Sequence, residues 1–251
     1  IANVDLGVGT KDRYAERLFA GLFNKEARVF VMGNANNVND MGFGGRGGFG
    51  RNRNGLNASK MGGANVNYEK KNVIKVDGSV RWNHSDGDIY SKNSSENFVS
   101  KSASFSNSLN QSYSRSNSWN GQARIEWTPD TMTNIMFRPT ASYSTSDGLG
   151  ANNSASFNDD PFKYVVDPLS EDGFKTLDEN GQLVNSRRNT SMSYSRNKSL
   201  GAELQYNRRL NSRGRNITLR ADANYSDNDS KNLSTSNVHL YQILNTLGQD
   251  S

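Results

Sequence analysis

The stretch Leu200-Gly201-Ala202-Glu203-Leu204-Gln205-Tyr206-Asn207 puts Leu, Ala, Leu and Tyr at even positions and Gly, Glu, Gln and Asn at odd ones. Successive side chains of a strand point to opposite faces, so the segment reads as a β-strand with one apolar and one polar face. Beyond Asn211-Ser212-Arg213-Gly214-Arg215 the alternation resumes: Ile217, Leu219, Ala221, Ala223 and Tyr225 stand against Thr218, Arg220, Asp222, Asn224 and Ser226. Two matched runs around a Gly-containing turn predict a hairpin.

Moving toward the N-terminus, the design recurs. Trp119, Gly121, Ala123, Ile125 and Trp127 turn through Thr128-Pro129-Asp130 into Ile135, Phe137, Pro139, Ala141 and Tyr143. Ala64, Val66 and Tyr68 turn through Glu69-Lys70-Lys71-Asn72 into Ile74, Val76, Gly78, Val80 and Trp82. The earliest pair spans Tyr14 to Phe23 and Ala27 to Asn36 around Asn24-Lys25, where Phe30 and Met32 blur the alternation. With Val4 to Val8 before the Thr10-Lys11-Asp12 turn, about nine strands are expected. Pro139 has no N–H for a mid-strand ladder, which predicts a bulge there.

A half-buried sheet in a soluble sandwich alternates in the same way, so three further features decide the environment. First, short turns are expected to alternate with long polar loops, roughly 37–63, 84–118 and 144–199. Structureless loops of that length are foreign to a compact soluble domain but usual on the outer side of a membrane barrel. Second, aromatic residues fall at two heights: Trp82, Trp119, Tyr143 and Tyr225 at the long-loop ends, and Tyr68, Trp127 and Tyr206 at the short-turn ends. Rings at two levels suit the two interfaces of a membrane. Eight residues from Trp119 to Trp127, at about 3.3 Å each and a tilt near 45°, project to roughly 19 Å, within an apolar band of about 25 Å. Third, Lys75, Arg81, Arg124, Glu126, Arg138, Glu203, Arg220 and Asp222 on the opposite face are too many ions for a dry core.

The expectation is therefore an all-β, antiparallel transmembrane β-barrel, present in part, with short periplasmic turns and long external loops. The chain starts at Ile1 and ends in Gly248-Gln249-Asp250-Ser251, which reads as one segment, residues 1–251, of a larger barrel domain whose plug and remaining strands lie outside it. Lipid-facing positions would be Tyr68, Val76, Val80, Trp82, Trp119, Ile125, Trp127, Ile135, Phe137, Tyr143, Leu204, Tyr206, Ile217, Leu219 and Tyr225. The eight charged residues named above would face the lumen. Mean hydropathy is −0.82, which a barrel tolerates because only every second strand residue need be apolar.

The runs Asp5-Leu6-Gly7-Val8-Gly9-Thr10-Lys11-Asp12-Arg13-Tyr14 and Val31-Met32-Gly33-Asn34-Ala35-Asn36-Asn37-Val38-Asn39-Asp40-Met41-Gly42-Phe43 resemble the first barrel strands of a TonB-dependent receptor-like outer-membrane protein. Gly62-Gly63-Ala64-Asn65-Val66-Asn67-Tyr68, Glu126-Trp127-Thr128-Pro129-Asp130 and Phe137-Arg138-Pro139 are similar to later strands of that family. The resemblance implies a plugged barrel of about 22 strands in the outer membrane, taking up a bulky ligand with energy relayed from the inner membrane. It implies as partners outer-membrane lipid, a periplasmic energy-coupling protein reached through the N-terminal region, and a surface lipoprotein. A passive porin or surface-assembly barrel is the alternative among membrane proteins. A secreted adhesin or carbohydrate-binding module is the alternative of another class.

Other motifs carry less. Gly45-Arg46-Gly47-Gly48-Phe49-Gly50 matches G-x-G-x-x-G, yet no strand leads into it and no helix pattern follows, so dinucleotide binding is not expected. The stretch resembles an RGG segment, and the net charge is +5. Its strand-rich flanks favour a cationic external loop over nucleic-acid binding. Arg46, Arg51 and Arg53 are candidates for contact with ligand or lipid. Two isolated histidines, His84 and His239, and no cysteine give neither a metal nor a catalytic set, and no cofactor or enzymatic activity is expected. Asp159-Asp160, Glu171-Asp172 and Asp227/Asp229 read as solvated loop charge. The cluster Phe162, Tyr164, Val165, Val166 and Leu169 reads as a self-packed loop or a contact at the barrel mouth.

Overall fold

The computed structural model describes residues 1–38, 56–98, 102–211 and 214–242. The described residues are all-β apart from one α-helix and a short 3-10 turn. The strands are β1 (Ala2–Val8), β2 (Tyr14–Phe23), β3 (Ala27–Asn36), β4 (Leu56–Lys70), β5 (Ile74–Glu96), β6 (Phe105–Asp130), β7 (Thr133–Phe157), β8 (Leu183–Arg209) and β9 (Asn216–Leu240). They form one nine-stranded antiparallel sheet in sequential order, β1 to β9, which is not closed into a barrel.

Register fixes which side chains share a face. Across β1 to β4, Val4 lies opposite Leu18, Ala20 opposite Val31 and Val31 opposite Ala64. Between β5 and β6, His84 meets Asn117, Ser85 meets Ser116, Ser94 meets Asn107 and Ser95 meets Ser106. These pairs step by one in opposite directions, as a single antiparallel register requires. From β7 to β9 the register follows from Met132 with Arg209, Ser144 with Asn197, and Val184 with Tyr241.

One sequence-based expectation is corrected. Much of the expected loop length is strand: β5 runs on to Glu96, β6 starts at Phe105, β7 reaches Phe157 and β8 begins at Leu183. At that end β3 stops at Asn36 and β4 starts at Leu56, β5 and β6 are separated by fewer than ten residues, β7 and β8 by 158–182, and the β1–β2 connection is a tight turn, 9–13. These extensions are rich in Ser and Asn on both faces. They make cross-strand side-chain bonds such as Ser95 to Ser106 at 2.7 Å, which stabilise a hydrated ladder without any apolar face. β7 is continuous through Pro139.

The described residues fall into two compact units. The first comprises Ile1–Gly87, Arg115–Asp147 and Tyr194–Lys231, and the second Asp88–Ser114, Gly148–Ser193 and Asn232–Ser251. The second has its own core, in which Ala155, Phe157, Leu177 and Leu183 are buried and Phe105, Val165, Leu169, Phe174 and Tyr241 pack around them. Here α1 (Glu171–Glu179) is capped by Ser170, whose hydroxyl accepts from the Gly173 N–H at 3.0 Å. Glu171 and Asp172 in its first turn suit the positive end of the helix.

Candidate functional site

The two faces of the sheet in the first unit are the candidate site. On one face the register aligns Ala2, Val4, Leu6 and Val8 of β1 with Ala20, Leu18, Glu16 and Tyr14 of β2, and the face continues through Leu22, Val29 and Val31 to Ala64, Val66 and Tyr68 of β4, with Glu16 and Lys60 the charged residues along its border row. The face runs on through the apolar positions of β5 to β9, so all nine strands contribute. None of the fifteen residues expected to face lipid is buried. Leu6 is 76% and Leu219 61% exposed, and Val80, Trp119, Trp127, Phe137, Tyr143, Leu204, Ile217 and Tyr225 are exposed as well. Among the described residues no second layer covers this face.

At the end of the apolar face, the indole rings of Trp82 and Trp119 lie 6.0 Å apart, and the His84 ring stacks on Trp82 at 6.1 Å. Polar groups begin immediately beyond. His84 Nε2 lies 2.8 Å from Asp86 Oδ2, Nδ1 lies 2.7 Å from Asn117 Oδ1, and Arg115 Nε donates to Asp86 Oδ1 at 2.9 Å. Sequence reading missed this cluster because its members sit as two i, i+2 pairs, His84/Asp86 and Arg115/Asn117, about thirty residues apart on two strands. Only the register brings them together.

The opposite face is polar and ionic. Glu203 Oε1 lies 3.4 Å from both Arg138 Nη1 and Arg220 Nη2. Arg124 Nη2 lies 3.4 Å from Glu126 Oε2, while Asn134 donates to Glu126 Oε1 at 3.0 Å and Asn67 to Asp77 Oδ1 at 2.7 Å. Five of the eight charges expected on this face thus fall into two separate ion-pair groups and Arg81 lines a groove beside them, with Lys75 and Asp222 outside those bonds. A groove of about 600 Å³ is lined by Phe30, Asn67, Gln122, Arg124, Arg138 and Thr140 among others. A second, of about 520 Å³, includes Met32, Arg81, Asn120 and Ser142. Phe30 and Met32 prove to belong to an apolar patch on this same face. Phe30 meets Phe23 edge-on at 5.1 Å and Phe19 at 5.9 Å. A Cβ on Gly21 would stand 3.1 Å from the Phe23 ring, so glycine makes room there.

At the opposite end, Asp130 accepts from the Met132 N–H at 2.7 Å and the Thr133 hydroxyl at 3.0 Å, which hold its carboxyl below the usual range. In the second unit, Asp159 is paired with Lys163 at 2.8 Å, lowering the acid and raising the amine, and Asp160 caps the 3-10 turn at Phe162. Asp229 pairs with Arg196 at 3.5 Å. The expected loop cluster divides: Val165 and Leu169 join the core, whereas Phe162, Tyr164 and Val166 are exposed. Arg46, Arg51, Arg53 and the Gly45–Gly50 motif lie outside the described residues.

Among the described residues no three metal-ligating side chains come together, and no helix is long and apolar enough to cross a membrane. Compared with models of known families and with curated proteins, the chain matches none.

Proposed function

We propose that this chain forms part of the wall of an outer-membrane β-barrel, with its apolar face toward lipid and its polar face toward the lumen, and that the barrel is a receptor and transporter for energy-coupled uptake of a bulky ligand. The observation that carries the membrane reading is the apolar face, continuous over nine strands and uncovered among the described residues. A water-soluble protein rarely leaves a contiguous apolar patch of more than a few hundred Å² exposed. A secreted adhesin or sugar-binding module would pack such a face against a second sheet. The open edges at β1 and β9 would pair with further strands, since unpaired edges are not tolerated in lipid.

Uptake rather than passive permeation rests on the TonB-dependent receptor resemblance, with a periplasmic energy-coupling protein and a surface lipoprotein as the partners it implies. Two measurements separate the readings. Carbonate-washed outer membranes should retain the protein; recovery as a detergent-free soluble monomer would favour the binding-module reading. In planar bilayers the intact protein should show no steady conductance, because a plug fills the lumen, whereas a stable open current would favour the passive porin.

A further inference from the structure

We propose that Arg124 and Arg138 form a binding site for the oxyanion of a carboxylate- or phosphate-bearing ligand on the polar face. The inference deepens the barrel reading and rests on it. On β6 and β7, Asn110 bonds Asn152, and Gly121 lies against the Ala141 carbonyl. Stepping along both strands from these pairs puts Arg124 directly opposite Arg138. Like charges in that position destabilise a strand pair. Each arginine makes a single contact with a carboxylate, at 3.4 Å, with side chains 50% and 41% exposed, and the registers set Asp77 across from Arg124 and Glu203 across from Arg138 on their other neighbouring strands. Exposed pairs of this kind contribute only about 0–1 kcal/mol.

Each guanidinium has five N–H donors, and two planar forks side by side suit a carboxylate or phosphate, which takes paired, charge-assisted bonds. The groove they line holds neutral hydrogen-bonding groups from Asn65, Asn67, Ser79, Gln122 and Thr140, with the Phe30 ring on its wall. Asp77 also lines it and is hydrogen-bonded by Asn67, while Glu126 and Glu203, which touch the two arginines, lie outside its lining. Its volume of about 600 Å³ suits a small organic anion.

The test is calorimetric titration of citrate and of inorganic phosphate into the intact protein in lipid vesicles, comparing wild type with Arg124→Gln, Arg138→Gln, the double variant and Lys175→Gln. Lys175, on α1, controls for lost net charge. Saturable binding is expected, weakened on the order of tenfold by each arginine substitution, abolished in the double variant and unchanged by Lys175→Gln. Arg124→Lys and Arg138→Lys, which keep charge but lose the fork, should fall between. Absence of binding in wild type, or equal weakening by Lys175→Gln, would overturn the proposal. Quenching of Trp127 by brominated lipid in the same vesicles reports separately on the barrel: quenching without anion binding removes this inference alone, whereas loss of quenching removes the barrel reading itself.

Discussion

Gly21 shows how a single atom matters in this sheet. With the Phe23 and Phe30 rings 3.1 and 3.3 Å from where a Cβ would stand, Gly21→Val must displace an aromatic pair on the polar face. Overpacking of this kind costs about 1–3 kcal/mol. Denaturant titration of the variant should show that loss, and wild-type stability would contradict the packing described. Asp159 is the clearest titrating residue. Its hydrogen bond from Lys163, then the Asp160 N–H, depress its pKa in the folded protein. The stabilisation it provides is present above the ordinary carboxylate value and is lost as pH falls through the depressed one. Lys163 behaves conversely: its raised pKa gives stabilisation that is complete below the ordinary lysine value and disappears as pH rises through the raised one. Carboxyl carbon NMR should put the Asp159 midpoint below 3.8, and Lys163→Met should move it upward. A midpoint unaffected by that substitution would contradict the pairing.

Strands of this protein divide into a part that sequence periodicity reveals and a part that it does not. Trp119 to Trp127 and Ile135 to Tyr143 are legible because one face is apolar and the other charged, which is the signal a period of two detects. The continuation of β6 back to Phe105 and of β7 on to Phe157 carries Ser and Asn on both faces, so alternation vanishes although the backbone ladder persists. α1 is hidden for another reason: nine residues with only Phe174 and Leu177 turned to the core give too little helical period to register. The network of Arg138, Glu203 and Arg220 is legible as charges on one face, but its pairing depends on register that hydropathy does not specify. Leu177 is fully buried, so Leu177→Ala should cost about 2–5 kcal/mol locally. Faster amide exchange across 171–179 would show it, and unchanged exchange would contradict the core assigned to the second unit. Along β8, Leu204→Arg puts a charge on the apolar face, and should cost about 2–4 kcal/mol in vesicles if that face meets mid-membrane lipid. Gln205→Arg, one residue on and on the polar face, should stay within about 0.5 kcal/mol. Equal effects would remove the distinction between the faces.

At the scale of the whole molecule, a sheet of nine strands offers lipid an apolar face, with Glu16 and Lys60 on its border row opposite Leu6 and Ala35, and gathers the ion-paired charges of β6 to β9 on the other. Trp82 and Trp119 lie side by side, tilted, near one end of that face, next to the polar group of His84, Asp86, Arg115 and Asn117. Trp127 lies eight residues along β6 from Trp119, at the turn end, and is 46% exposed. Indole rings at such boundaries are stabilised by an apolar body and a polar N–H. The most direct measurement is fluorescence quenching by brominated lipids of three variants, each keeping only one of Trp82, Trp119 and Trp127, in the protein folded into vesicles. All three should be quenched, most strongly by bromines placed near the headgroups. A β-rich circular dichroism spectrum with no quenching of any of the three would mean that these rings are buried against protein, and the membrane reading would fall.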